Sequence, residues 1–143
     1  MNLRQQMETL CTCLCRQTEL YRIWARQHGM SYNTMMTLYA LKQDRRCSQK
    51  QIAEEWMIPK QTVNTVVKDL ERRGSVRFAP GRDQKEKRVC FTEQGKAYAE
   101  AALEELCRME DRALERMGPE LCRQLVDSNL AFAAALESEV RCG

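Results

Sequence analysis

Between Cys47 and Thr92 the hydrophobic period switches from helical to alternating, with a turn signal at each boundary, and few architectures accommodate that order. "SQKQ" (48–51) places Gln51 three residues after Ser48, the pattern of a capping box, so a short helix opens there with Ile52 and Ala53 facing inward. "MIP" (57–59) marks a turn, and Pro59 suits the first turn of a following helix. Val63, Val66, Val67 and Leu70 recur at helical spacing and predict that helix's buried stripe. Gly74 stands where a left-handed cap would end it. Beyond it, Val76 and Phe78, then Val89 and Phe91, alternate with polar residues, which predicts two short strands joined by a charged, glycine-containing loop.

Longer helical patterns flank this stretch. Leu3, Met7, Leu10, Leu14, Tyr21 and Trp24 predict a helix over 3–27, ended by Gly29. Ser31 can cap a second helix carrying Met35, Leu38, Tyr39 and Leu41, which ends in the polar "KQDRR" (42–46). Thr92 can cap a long fifth helix running to about Met117, broken by "GP" at 118–119. A sixth, from Pro119 to about Val140, presents Leu121, Leu125, Phe132 and Leu136. The expected fold class is mainly α with a small β-hairpin wing. At 143 residues the chain is expected to be a single domain, without repeats or flexible linkers.

Composition excludes several classes. No apolar run approaches the ~20 residues of a membrane span, and "MNLRQQMETL" lacks the hydrophobic core of a signal peptide. The chain is therefore expected in the cytoplasm, with no membrane partner and its eight cysteines mostly reduced. There is no CxxC pair and His28 is the only histidine, so no metal site of the ordinary structural zinc type and no cofactor is expected. The sequence has no Ser-His-Asp set, glycine-rich phosphate loop or carboxylate pair suited to acid–base work, which argues against an enzyme.

Charge is unevenly spread. Residues 45–90 hold twelve Lys/Arg and six Asp/Glu; the rest of the chain holds eleven and fourteen. A basic middle between acidic ends points to a polyanionic partner. Short helix, turn, helix and hairpin is also the layout of a winged helix-turn-helix. With the valine stripe of the fourth helix inward, its outer face carries Lys60, Gln61, Asn64, Thr65 and Lys68, with Thr62 near the edge. Gln and Asn can pair bidentately with adenine in the major groove of double-stranded DNA, and Lys and Thr suit phosphate oxygens. The hairpin tip adds Arg82, Gln84, Lys85 and Lys87, long donors suited to neighbouring phosphates or a minor groove.

"CSQKQIAEEWMIPKQTVNTVVKDLERRGSV" followed by "RDQKEKRVCFTEQG" resembles the MarR family of bacterial transcription regulators. The likeness is best over 47–95 and extends, through helix order and length, to nearly the whole chain. It implies a single MarR-like domain over 1–143, with a DNA-binding lobe at 31–95 and dimerisation helices at 1–27 and 105–140. It also implies a homodimeric repressor on a pseudo-palindromic operator. Two positions depart from the family pattern. The wing reads Asp83-Gln84-Lys85 where Asp-x-Arg is usual, and lysine lacks arginine's planar fork. Met57 stands where the family often has glycine, which requires a turn without positive φ, or some strain.

Release of DNA is expected from a small-molecule effector or a thiol change. A ligand could lie between dimer helices and DNA-binding lobe, near Trp24, Tyr32, Met36 or Tyr39, although for any one of these side chains simple core filling is the more common role. "CTCLC" (11–15) leaves three readings open: small apolar residues at a helix seam, a soft-metal pair, or thiol sensing. Some members of the family sense oxidants through a cysteine near the start of the first helix, and Cys11 is the nearest counterpart. A winged-helix protein-interaction module that never binds DNA is the alternative to the regulator reading.

Overall fold

The computed structural model describes residues 1–43, 47–81 and 86–143. Its elements are α1 (Leu3–Gln27), α2 (Tyr32–Gln43), β1 (Cys47–Ser48), α3 (Gln49–Glu55), α4 (Lys60–Arg72), β2 (Val76–Pro80), β3 (Lys87–Phe91), α5 (Glu93–Met117) and α6 (Pro119–Cys142). The chain divides into two compact units, Met1–Leu103 and Glu104–Gly143, with the boundary inside α5. Among the described residues, no helix is long and apolar enough to cross a membrane.

Local chemistry sets most boundaries. Asn2 and Ser48 each accept a backbone N–H from a Gln three residues on, and that Gln side chain accepts the cap's own N–H, so α1 and α3 both begin in capping boxes. Ser31 Oγ accepts from the Thr34 N–H, 3.1 Å, at the start of α2. Pro59 is the cap of α4 rather than its first helical residue.

Three helices of the first unit end in the same way. After α1, the Met30 N–H reaches the Ala25 carbonyl (3.0 Å) and the Gly29 N–H reaches Arg26 (3.1 Å). After α4, the Ser75 N–H reaches Leu70 (2.8 Å) and the Gly74 N–H reaches Glu71 (2.9 Å). After α3, the Ile58 N–H reaches Ala53 (3.1 Å). The closures of α1 and α4 are full Schellman motifs and α3 shares their six-to-one bond, a geometry that needs one residue in the left-handed region. Gly29 (φ 73°) and Gly74 (φ 77°) supply it for α1 and α4, whereas for α3 it is Met57 (φ 52°). Of the two outcomes expected at Met57, the structure adopts the strained one.

The sheet has three antiparallel strands in the order β1-β3-β2. The alternation of Val76 and Phe78 with Val89 and Phe91 becomes a register in which Val76 faces Phe91 and Phe78 faces Val89. Strand β1 adds Cys47 opposite Val89 and Ser48 opposite Arg88. A two-residue strand carries no readable period, so the sequence pattern does not reveal it.

Met35, Leu38 and Leu41 of α2, Ile52 of α3, Val63 and Val67 of α4 and Val89 of β3 are fully buried and form the core of the first unit. They hold α4 against α2, α3 and the sheet, which leaves the opposite face of α4 outward. Thr92 fastens the start of α5: its hydroxyl donates to the Gly74 carbonyl (2.6 Å) and accepts the Gly95 N–H (3.0 Å). Gly95 lies so close to the chain after α4 that a Cβ built on it would sit 1.7 Å from the Ser75 carbonyl oxygen.

The apolar residues of α1 upstream of Trp24 stay largely uncovered, Leu3, Leu14 and Leu20 being exposed. In the second unit Leu121, Leu125, Leu130, Leu136 and Val140 of α6 are exposed, and no residue of α6 is buried.

Candidate nucleic-acid interface

The outer face of α4 is arranged as its spacing requires. Lys60, Gln61, Thr65 and Lys68 are exposed, and Thr62 and Asn64 are half-buried at the edges. Val63, Val66, Val67 and Leu70 face the core. The Thr65 hydroxyl donates to the Gln61 carbonyl one turn back, 3.0 Å, which leaves its lone pairs, not its proton, facing outward.

A groove of about 570 Å³ joins this face to α3 and to the wing strands β2 and β3. Lys60, Asn64 and Lys68 line it from α4, Gln49 and Lys50 from the first turn of α3, and Phe78 and Lys87 from the wing strands. Its four lysines outnumber its carboxylates, Glu71 and Glu86, two to one. Lys87 Nζ lies 5.9 Å from the centre of the Phe78 ring, so the wing holds that ammonium over an aromatic face. Lys50 has a long ion pair to Glu54, 4.0 Å and exposed, a contact weak enough to yield to a stronger anion.

The structure therefore brings Lys60, Asn64, Lys68 and Lys87 to one groove. Arg82, Gln84 and Lys85 at the wing tip, with Asp83, lie outside the described residues. Sequence reasoning missed Gln49, Lys50 and Phe78. Ser48 and Gln51 located the start of α3, but not that this turn would face the same groove as α4.

Asp69 lies among cations. It pairs with Arg72 and with Arg73 Nε, the latter at 2.9 Å. The hydrogen bond from Arg72 and the nearby charge of Arg73 hold its carboxyl below the ordinary carboxylate range.

The four aromatic or sulfur-bearing residues expected near an effector are engaged or partly covered. Trp24 is buried and stacks on His28, ring centres 3.9 Å apart. Arg22 lies 5.5 Å above the Tyr32 ring, Tyr39 meets Trp56 edge-on at 5.2 Å, and Met36 is half-buried. His28 Nδ1 is 2.8 Å from the Trp24 carbonyl oxygen, an acceptor, so that nitrogen carries the proton. A cavity of about 610 Å³ opens elsewhere in the first unit, with Arg26, Thr34, Asp69, Arg73 and Tyr98 among its walls. None of the four expected residues lines it. Cys11 is exposed on α1.

A short helix, a turn, an outward-facing helix and a three-stranded wing on one core define a winged helix-turn-helix protein. Comparison with known proteins narrows this. Residues 28–86 match the MarR family profile. A MarR family regulator from Neisseria meningitidis has 30% sequence identity over 98% of this chain and 97% of its own, with a TM-score of 0.80. The chain belongs to the MarR family of winged-helix transcription regulators. Two more distant structures share the fold. FabT from Streptococcus pneumoniae, solved in complex with DNA, is 17% identical over 96% of this chain and 99% of its own, TM-score 0.74. Staphylococcus aureus MarR, solved with salicylate and kanamycin, is 13% identical over 95% and 93%, TM-score 0.76. No curated protein matches the sequence.

Proposed function

We propose that this protein is a sequence-specific DNA-binding regulator that acts as a homodimer and represses transcription until a small ligand or a thiol change releases it. The observation that carries the reading is the shared groove. Base-reading Asn64 and phosphate-seeking Lys50, Lys60, Lys68 and Lys87 converge on one face from three elements. In this proposal α4 enters the major groove, with Gln61 and Asn64 reading bases and Thr62 and Thr65 contacting sugar or phosphate. The wing, with Arg82, Gln84, Lys85 and Lys87, follows the backbone beside it. The DNA complex of FabT, which shares the fold, supports the geometry.

The dimer rests on uncovered apolar surface. Leu3, Leu14 and Leu20 on α1, and separately Leu121, Leu125, Leu130, Leu136 and Val140 on α6, are exposed in one chain. Uncovered apolar side chains in such number mark interaction surfaces. A second copy would cover residues 1–27 and 105–140 and hold two recognition helices at a fixed span for a two-fold operator.

For the effector, the 610 Å³ cavity is preferred to the Trp24, Tyr32, Met36 and Tyr39 cluster, because it offers open volume in the range of small-molecule sites. Its walls include Leu70 and Arg73 at the end of α4 and Gln94 and Tyr98 at the start of α5. An occupant there would push on the recognition helix directly, which is a route to release. The salicylate-bound S. aureus MarR supports a ligand-responsive reading at the level of the fold.

The test is selection of bound duplexes from a random pool, followed by a salt titration on the selected sequence. Recovery of a two-fold sequence whose affinity falls steeply with salt is expected. Replacing Asn64 with Ala should relax choice at one position per half-site and cost about 1–3 kcal/mol. If no duplex is retained at low salt, the protein-interaction module replaces the regulator.

A further inference from the structure

We infer that Cys11 and Cys15 form a two-coordinate site on α1 for a soft monovalent cation, Cu(I) in chemical class. The site lies in "CTCLC", which the DNA-binding face leaves unexplained, and it does not depend on the DNA-binding reading.

Helix α1 is continuous from Leu3 to Gln27, so its geometry places the three thiols. Four residues at ~100° each bring Cys11 and Cys15 to within ~40° of one another on the helix surface, one turn apart. Cys13 is two residues from each, so it lies ~160° away on the other side. All three are free and exposed. The Leu3, Leu10 and Leu14 stripe lies to one side of the Cys11–Cys15 face, so a partner covering that stripe leaves the two thiols at its margin. The hydroxyl between them, Thr12, donates to the Glu8 carbonyl (3.0 Å), so it remains on the helix backbone.

The spacing selects the chemistry. Side chains four apart on a helix have Cβ atoms about 5–6 Å from each other. A disulfide needs roughly 3.5–4.5 Å, so this pair resists internal oxidation without distorting the helix. A near-linear S–metal–S unit holds its two sulfurs well beyond the ~2.05 Å of a disulfide, a separation that ordinary rotation about χ1 reaches from this spacing. Among the described residues, no three His, Cys, Asp or Glu side chains are placed to hold one metal. A tetrahedral ion such as Zn(II) therefore lacks its donor set there. A soft ion satisfied by two thiolates does not, and thiolates select Cu(I). On binding, each thiol loses its proton and each sulfur forms one bond to the metal, so two protons leave and the bound unit carries one negative charge.

Reduced full-length protein, titrated anaerobically into the coloured complex of Cu(I) with bicinchoninate, tests this. One equivalent per chain should be withdrawn from the chelator. Cys11→Ser and Cys15→Ser should each lose that equivalent, and Cys13→Ser should keep it. Circular dichroism checks that each variant remains helical. The inference is overturned if the parent protein leaves the chelator's absorbance unchanged. It is also overturned if Cys11→Ser retains the equivalent, or if Cys13→Ser removes it as completely as Cys15→Ser does.

Discussion

Replacing Met57 with glycine should stabilise the protein, although it removes a large side chain from the centre of the helix-turn-helix. Met57 holds φ 52° and is 88% exposed. Truncating it therefore uncovers almost no core. An L-residue in the left-handed region carries about 1–2 kcal/mol of strain from its Cβ against the backbone. Glycine removes that strain but adds unfolded-chain entropy worth roughly 0.4–1 kcal/mol in the other direction. The balance favours Met57→Gly by about 0.5–1 kcal/mol, or a rise in Tm of roughly 1–4 °C for a chain of this size. The molecule contains its own reference: Gly29 and Gly74 occupy the corresponding positions after α1 and α4. The assay is urea unfolding at fixed protein concentration, because dimerisation would make the midpoint concentration-dependent. Met57→Ala is the control. It deletes the same exposed atoms but keeps the Cβ, so it should stay within about 0.5 kcal/mol of the parent. If Met57→Gly is destabilising, or if Met57→Ala gains as much as glycine does, strain at this turn is not the reason.

Three other outcomes follow from particular contacts. Gly95→Ala should cost about 3 kcal/mol or more in urea unfolding, because the added Cβ would lie 1.7 Å from a backbone oxygen, at Ser75, that no rotamer change can move. Ser48→Ala should cost about 0.5–2 kcal/mol by removing one half of the α3 capping box, and Ser48→Thr should recover most of it. Asp69→Asn should flatten the acid limb of stability. The folded carboxyl is depressed by its Arg72 and Arg73 partners, so its contribution is full above the unfolded value near 3.8 and fades as pH falls through the folded one. The difference in urea midpoint between parent and Asp69→Asn should thus shrink below about pH 4; a constant difference from pH 7 to pH 3 would contradict it.

Such contacts separate what neighbours in sequence decide from what distant segments decide. Capping at Asn2 and Ser48, the breaks at Gly29, Gly74 and Gly118 and the valine stripe of α4 involve residues within about two helical turns. Helical period and capping chemistry act over that range, so the order of residues along the chain is enough to specify these features. The outward face of α4 follows from the same period, because the direction of Lys60, Asn64 and Lys68 is fixed once Val63 and Val67 are known to be buried.

By itself the sequence determined the order of helices, the two alternating strands of the hairpin and the polar outer face of α4. Tertiary structure alone decided that β1 pairs with β3 through Cys47 and Val89, and that Lys50 and Phe78 join the α4 groove. It also decided that a cavity of about 610 Å³ opens beside Arg73 and Tyr98, residues that are far apart in the chain. The reason is range: a residue's period and caps depend on neighbours a few positions away, whereas a groove or cavity depends on how separate elements approach, and side-chain packing across the core sets that approach.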